Sequence, residues 1–261
     1  MNATAAPDAS QEWDACFWEP GGKVLRNKLD LHNFLELRLA EYRYRAVRQG
    51  EIERGEVDIP RTFDRAHLQA IHRHLLQDVY DWAGTFRTVG IRKNGKDFVP
   101  PERIGEIVDL VGEKLIRNQD WAAMNRQEFV ANVANIYCLQ NIAHPFREGN
   151  GATAKVYLAH VAELSRFRLD FDRVDKWDWD QASEAAYPRN PLRDAPDPTK
   201  MYAVFDKVTL ARKPATPVDP GLAKVIALQN TTYGVPHRAG TGERPETHRA
   251  RGTDQGTERH I

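Results

Sequence analysis

In run after run of this chain the apolar residues recur at intervals of three and four, the period of a helix with one buried face. Between Asn33 and Arg48, Leu35, Leu39, Tyr42 and Ala46 keep that spacing with charges between them, and the spacing predicts an amphipathic helix. In TFDRAHLQAIHRHLLQDVYDWAG, Asp64 is an N-cap candidate, Leu68, Ile71, Leu75, Val79 and Trp82 share a stripe, and Gly84 is a stop. The period then breaks. Val89, Ile91, Phe98 and Val99 flank Asn94-Gly95, a dipeptide suited to a two-residue hairpin turn, and Pro100 and Pro101 close the stretch. Helical spacing resumes from Ile104 to Gln119 through Ile107, Val111 and Leu115, and again through Phe129, Val133, Ile136 and Tyr137 behind an Asn125/Glu128 capping box. Tyr157, His160, Val161 and Leu164 predict another helix, and DWDQASEAAY one more. The fold class expected is mainly α with one small β-hairpin.

Composition narrows the function more than the fold. At 261 residues and 41% hydrophobic content the chain can bury one sizeable core. A single domain over residues 13–212 is expected, behind a flexible lead at 1–12. KPATPVDPG and HRAGTGERPETHRARGTDQGTERH carry Pro, Gly, Thr and charge without apolar period, so 213–261 reads as a disordered tail. Lys plus Arg (37) balances Asp plus Glu (37), which argues against a protein built to coat nucleic acid or an anionic membrane. Cys16 and Cys138 are the only cysteines; they suit neither a disulfide framework nor a thiolate zinc site, and fit a reducing, cytoplasmic setting. No run approaches the roughly 20 apolar residues of a membrane span.

Chemistry concentrates in HPFREGNGATAK, residues 144 to 155. Pro145 ends one helical pattern, and Gly149-Asn150-Gly151 gives the backbone freedom just before the next. A tight loop onto a helix N-terminus leaves first-turn N–H groups free at the positive end of the dipole, an anion site that bare glycine backbone lets a phosphate approach. Glu148 is a hard oxygen ligand of the kind Mg²⁺ takes beside phosphate oxygens. His144 supplies a base whose ordinary pKa is about 6.5. Base, metal ligand and anion hole within eight residues suit phosphoryl or nucleotidyl transfer. His72 and His74, two apart, face different ways and do not suggest a metal pair; they read as one surface and one half-buried histidine. DRVDKWDWD lacks the Gly and terminal Glu of a calcium loop and reads as a helix cap with Trp177 or Trp179 buried.

HPFREGNG resembles the motif of the Fic (Fic/Doc) family, H-P-F-x-[D/E]-G-N-G-R-x-x-R, unbroken over its first eight positions. GGKVLRNKLDL and DVYDWAGTFRTVGIRKNGKDF support the resemblance, which spans roughly residues 17 to 210. It implies a helical core that moves AMP from ATP-Mg²⁺ to a Ser, Thr or Tyr hydroxyl of a target protein, releasing pyrophosphate. In that reading His144 is the general base, Glu148 the Mg²⁺ ligand, and Gly149, Asn150 and Gly151 the phosphate loop, with Phe146 anchoring the loop in the core. The hairpin, Arg92, Lys93, Asn94, Gly95, Lys96 and Asp97, is the flap that aligns an extended target segment by backbone pairing.

The chain departs from the motif twice: Ala152 stands where the family has its first Arg, and Lys155 where it has the second. One bidentate guanidinium contact is lost and another becomes a point charge, which one turn into the helix still reaches the anion site. Weakened activity is one implication; a degenerate Fic-fold binding protein or another phosphate-containing donor are the alternatives. The family's self-inhibitory pattern, [ST]-x-x-x-E-[GN], has no match here, so the resemblance implies a toxin restrained in trans by a small helical antitoxin docking near Lys155.

Overall fold

Asn33 caps the first helix, α1 (Phe34–Glu53), its side chain accepting from the amides of Leu35 and Glu36. The face this helix turns inward is not the expected one. Leu35, Leu39 and Tyr42 are 69, 58 and 64% exposed, and the buried positions are Leu37 and Glu41. Polar contacts set this orientation. The Tyr80 hydroxyl donates to the Glu41 carboxylate, and Arg48 grips Asp78 through Nε and Nη2 at 2.7 and 2.8 Å. A two-pronged contact of this kind fixes a helix rotation that apolar spacing alone leaves open.

The computed structural model describes residues 14–93 and 95–213. The expected lead, the tail from 214 onward and Asn94 lie outside the described residues. All described residues fall in the first of two compact units, Met1–Lys213. Asp64 caps α2 (Arg65–Leu76), which stops eight residues short of Gly84 and is followed by turns. Leu68, Ile71, Leu75 and Val79 are buried as their spacing requires. Two short strands, β1 (Arg92–Lys93) and β2 (Lys96–Asp97), pair antiparallel with Arg92 opposite Asp97. Helix α3 (Pro101–Leu110) opens on proline and continues as a π-helical turn, Val111–Arg117. The capping box expected from Asn125 and Glu128 is formed at the start of α4 (Arg126–Ala143).

Helices α4 and α5 (Asn150–Ala162) form the centre of the core, with Phe129, Val133, Ile136, Leu158 and Val161 fully enclosed. Asp175 caps α6 (Lys176–Ala186). Its Trp179 is buried while Trp177 is 72% exposed. A last helix, α7 (Tyr202–Val208), leads into a second antiparallel ribbon, β3 (Phe167–Leu169) with β4 (Thr209–Ala211). The sequence pattern, which showed one hairpin, missed this ribbon. Strands of three residues are too short to display a period of two.

A histidine pair packs α2 on α5. The Phe63 amide donates to His67 Nδ1 at 3.2 Å, which leaves the proton on Nε2 to bond His160 Nδ1 at 2.8 Å. Burial holds both rings neutral, pushing His67 down to about 3 and His160 to about 4. The unfolded chain, whose histidines titrate near about 6.5, therefore takes up protons that the folded chain refuses. Stability is full above that value and lost as the pH falls from it toward the folded values. The thermal unfolding midpoint is expected to drop between about pH 6.5 and 4, and a His67→Asn, His160→Gln double variant to show a shallower drop. Equal acid sensitivity in the two proteins would remove the pair as a cause.

Candidate active site

Helix α4 ends because His144 turns left-handed, φ 40 and ψ 61, and Pro145 follows. For a residue with a Cβ that backbone costs about 1–2 kcal/mol, so something must hold it. Arg87 does. Its Nε donates to the His144 carbonyl at 2.8 Å, Nη2 to Ala143 at 3.1 Å and Val99 at 2.6 Å, and Nη1 to Val89 at 2.8 Å. Its amide adds a bond to the Pro145 carbonyl at 2.8 Å. Arg87 is 3% exposed, and its guanidinium makes no ion pair among the described residues. Burial pushes its pKa down to about 10, still charged at neutral pH.

The loop from 145 to 149 is locked from inside. Asn150 Oδ1 accepts from the Phe146 amide at 2.9 Å and its Nδ2 donates to the Phe146 carbonyl at 2.7 Å. Phe146 is fully buried and stacks on His72 with centroids 3.7 Å apart. His72 accepts from the Gly84 amide on Nδ1 at 2.8 Å, so its Nε2 proton is free to bond the Glu148 carbonyl at 3.0 Å. Far from being a surface or half-buried residue, it is fully enclosed, and His74 is only 13% exposed in its side chain. Gly149 takes φ 79, and a Cβ there would sit 2.4 Å from Leu76 Cδ1. Of the three loop residues only Gly149 uses the left-handed region; Asn150 and Gly151 are already helical. No side chain caps α5, so its first-turn N–H groups face the loop's mouth.

The Glu148 carboxylate accepts from the Gly149 amide at 3.0 Å, with its side chain 37% exposed. One accessible carboxylate beside uncapped amides suits Mg²⁺ that arrives with phosphate oxygens, since that ion keeps most of its ligands from substrate and water. The described residues contain no group of three or more His, Cys, Asp or Glu that could cage a metal alone.

The hairpin stands over His144. Phe98 stacks on the imidazole, centroids 3.9 Å apart. Tyr187 donates to the Asp97 carbonyl at 2.8 Å, and Lys96 pairs with Glu184 at 2.8 Å. The end of α6 thus pins the strand that carries Phe98. Arg92 pairs with Asp97 at 3.2 Å across the ribbon, and Gly95 makes the turn at φ 77. Under this cover His144 departs from its ordinary titration: burial, with Lys93 and Arg87 pushing the same way, lowers it to about 3. It is a neutral imidazole across the physiological range.

His144, Glu148, Gly149, Asn150 and Gly151 are brought together on one loop. Lys155 is turned to other company, its ammonium 4.8 Å from the Trp179 ring centre and 5.3 Å from that of Phe171. Burial lowers its pKa. Arg87 and Glu41 were not singled out in the sequence, and His72 reads there only as a surface or half-buried histidine with no part in the site. For His72 a signal existed, since it stands four residues after Leu68 and four before Leu76; for Arg87 none did.

Residues 62–162 match the Fic/DOC family model. The chain is 31% identical over 166 residues to the probable protein adenylyltransferase Fic of Salmonella typhimurium, spanning 64% of this chain and 81% of that protein. It is 29% identical over 189 residues to its namesake from Escherichia coli, spanning 72% and 89%. The fold superposes on BepC of Bartonella tribocorum, a structure with bound AMPPNP, with a TM-score of 0.67 at 21% identity, over 77% of this chain and 98% of that one. The locked HPFREGNG loop and these likenesses together place the chain in the Fic/DOC family.

Proposed function

We propose that this protein is a protein adenylyltransferase, moving AMP from ATP bound with Mg²⁺ to a Ser, Thr or Tyr hydroxyl of another protein. The carrying observation is the joint geometry of the loop: a neutral imidazole at His144, the Glu148 carboxylate and the uncapped start of α5 are held by one set of hydrogen bonds. The relatives' adenylyltransferase names support the same reading. The hydroxyl oxygen forms a bond to the α-phosphorus as the bond to the bridging oxygen breaks, pyrophosphate leaves, and the hydroxyl proton passes to His144. Mg²⁺, when bound, neutralises phosphate charge. Glu148 would hold it, and the loop of Gly149, Asn150 and Gly151 would orient phosphate oxygens through the free first-turn amides of α5. The ribbon of Arg92, Lys93, Gly95, Lys96 and Asp97 offers a backbone edge for an extended target segment.

Two features favour a weaker catalyst, another phosphate-containing donor, or a binding protein of the same fold: the missing arginine at Ala152 and the engagement of Lys155 with Trp179 and Phe171. The intact His144 and its support favour transfer. A cytoplasmic site of action fits a chain with only two cysteines, Cys16 and Cys138, far apart in sequence. At the finest level the protein is the toxin of a pair, restrained by a small helical antitoxin, because its sequence lacks the self-inhibitory pattern. Expression in bacteria should then slow growth, and coexpression of the neighbouring small reading frame should restore it. Normal growth with the protein alone would sink the toxin reading.

His144→Ala is expected to abolish label transfer from α-labelled ATP with the unfolding midpoint preserved. Since the imidazole is neutral well below pH 7, kcat/KM should stay level from pH 8 to 6, where a base titrating at about 6.5 would retain only about a quarter of its neutral form. A fall on that scale, absent from the folding signal, would contradict the buried neutral base. Glu148→Ala should remove the Mg²⁺ dependence of nucleotide binding measured by calorimetry; equal affinity with and without the metal in the wild type would refute the metal assignment.

A further inference from the structure

The contact that Ala152 cannot make has a source on another helix. Arg38 of α1 lies with Nη1 3.9 Å from Glu148 Oε2 and 3.8 Å from Glu41 Oε2, its side chain 55% exposed. Both separations are too long for hydrogen bonds, and Arg38 donates none among the described residues. Compare Arg48 and Arg87, whose donors are engaged by fixed oxygens at 2.6 to 3.2 Å. Charge alone keeps Arg38 where it is. Glu41, buried behind it and bonded by Tyr80, and Glu148 in front draw the guanidinium to the loop without satisfying its planar fork.

The course of α1 gives this placement its meaning. Seven residues beyond Arg38, Arg45 is close enough to act on the Lys155 ammonium, and Lys155 is itself seven residues beyond Glu148. So α1 meets the Glu148 loop at Arg38 and bears on the Lys155 ammonium from Arg45, and position 152 lies between 148 and 155 in the sequence. A phosphate group held at Glu148 through its metal would offer Arg38 the paired oxygens that a fork takes best.

We propose that Arg38 is a nucleotide-binding residue, reaching from α1 to the phosphate chain at the Glu148 loop and supplying the guanidinium that the motif lacks at Ala152. This rests on the adenylyl-transfer reading. It predicts a contact with the β- or γ-phosphate, and hence a residue that distinguishes ATP from AMP.

Calorimetry of the full chain with Mg²⁺ and a non-hydrolysable ATP analogue, and separately with AMP, tests it. Arg38→Gln should weaken the ATP analogue about tenfold or more, the worth of one charged hydrogen bond, and leave AMP nearly unchanged. Arg38→Lys, which keeps a cation beside Glu41 and so protects the fold, should also lose affinity for the analogue, because an ammonium has no fork. Adding Ala152→Arg to Arg38→Gln should restore binding. If the wild type binds the analogue and both Arg38 variants bind it as tightly, or if AMP weakens in parallel, Arg38 is only a screen between two carboxylates and the inference fails alone. If the wild type binds no analogue, the adenylyl reading falls and takes the inference with it.

Discussion

A buried guanidinium that makes no ion pair among the described residues holds this site in shape. Arg87 has given up water, and its donors are satisfied by four carbonyls, those of Val89, Val99, Ala143 and His144. Two of these belong to the stems of the hairpin and two to the end of α4, where the helix dipole presents its negative end to the cation. Loss of any one acceptor would leave a desolvated donor unpaired, so the two hairpin stems and the end of α4 move as one. The left-handed turn at His144 persists because Arg87 and the Pro145 carbonyl bond over-determine it. Position and rotation of the imidazole follow from a residue 57 places earlier in the chain.

From that anchor the chemistry is distributed by hydrogen bonds and not by acid–base pairs. His72 carries its one proton to the Glu148 carbonyl because Gly84 has occupied the other nitrogen. Its tautomer is therefore decided by the turn after α2, and the carboxylate is set by backbone on both sides. Packing adds to this: Phe146 fills the core beneath the loop, and Gly149 admits Leu76 where no other residue could. A site built this way is held in shape before any ligand arrives. The price is a run of buried histidines that resist protonation.

Helix α1 shows how polar contacts can overrule an apolar pattern. Its stripe of Leu35, Leu39 and Tyr42 has ordinary helical spacing, yet it faces outward. Glu41 bonded to Tyr80 and Arg48 forked onto Asp78 turn the other face inward. That rotation also carries Arg38 to the Glu148 loop. Were the apolar stripe buried instead, the loop would have no cation beside its carboxylate from this helix.

Local sequence determined whatever depends on neighbours within about a dozen residues. The caps at Asn33, Asp64, Asn125 and Asp175, the hairpin at Arg92–Asp97 and the HPFREGNG loop all arise from short-range geometry, since a side chain that bonds the backbone two or three residues away leaves its mark in spacing. Residue type alone also picked out His144, Glu148 and the glycines, which the structure gathers on one loop. Tertiary structure decided which way α1 faces, that Arg87 serves the site, that Lys155 lies on Trp179 and Phe171, and that His144 is held neutral near a value of about 3. Each of these depends on partners 16 to 57 residues away or on burial itself. Desolvation and long-range contacts are properties of the assembled core, and no periodicity in the chain encodes them.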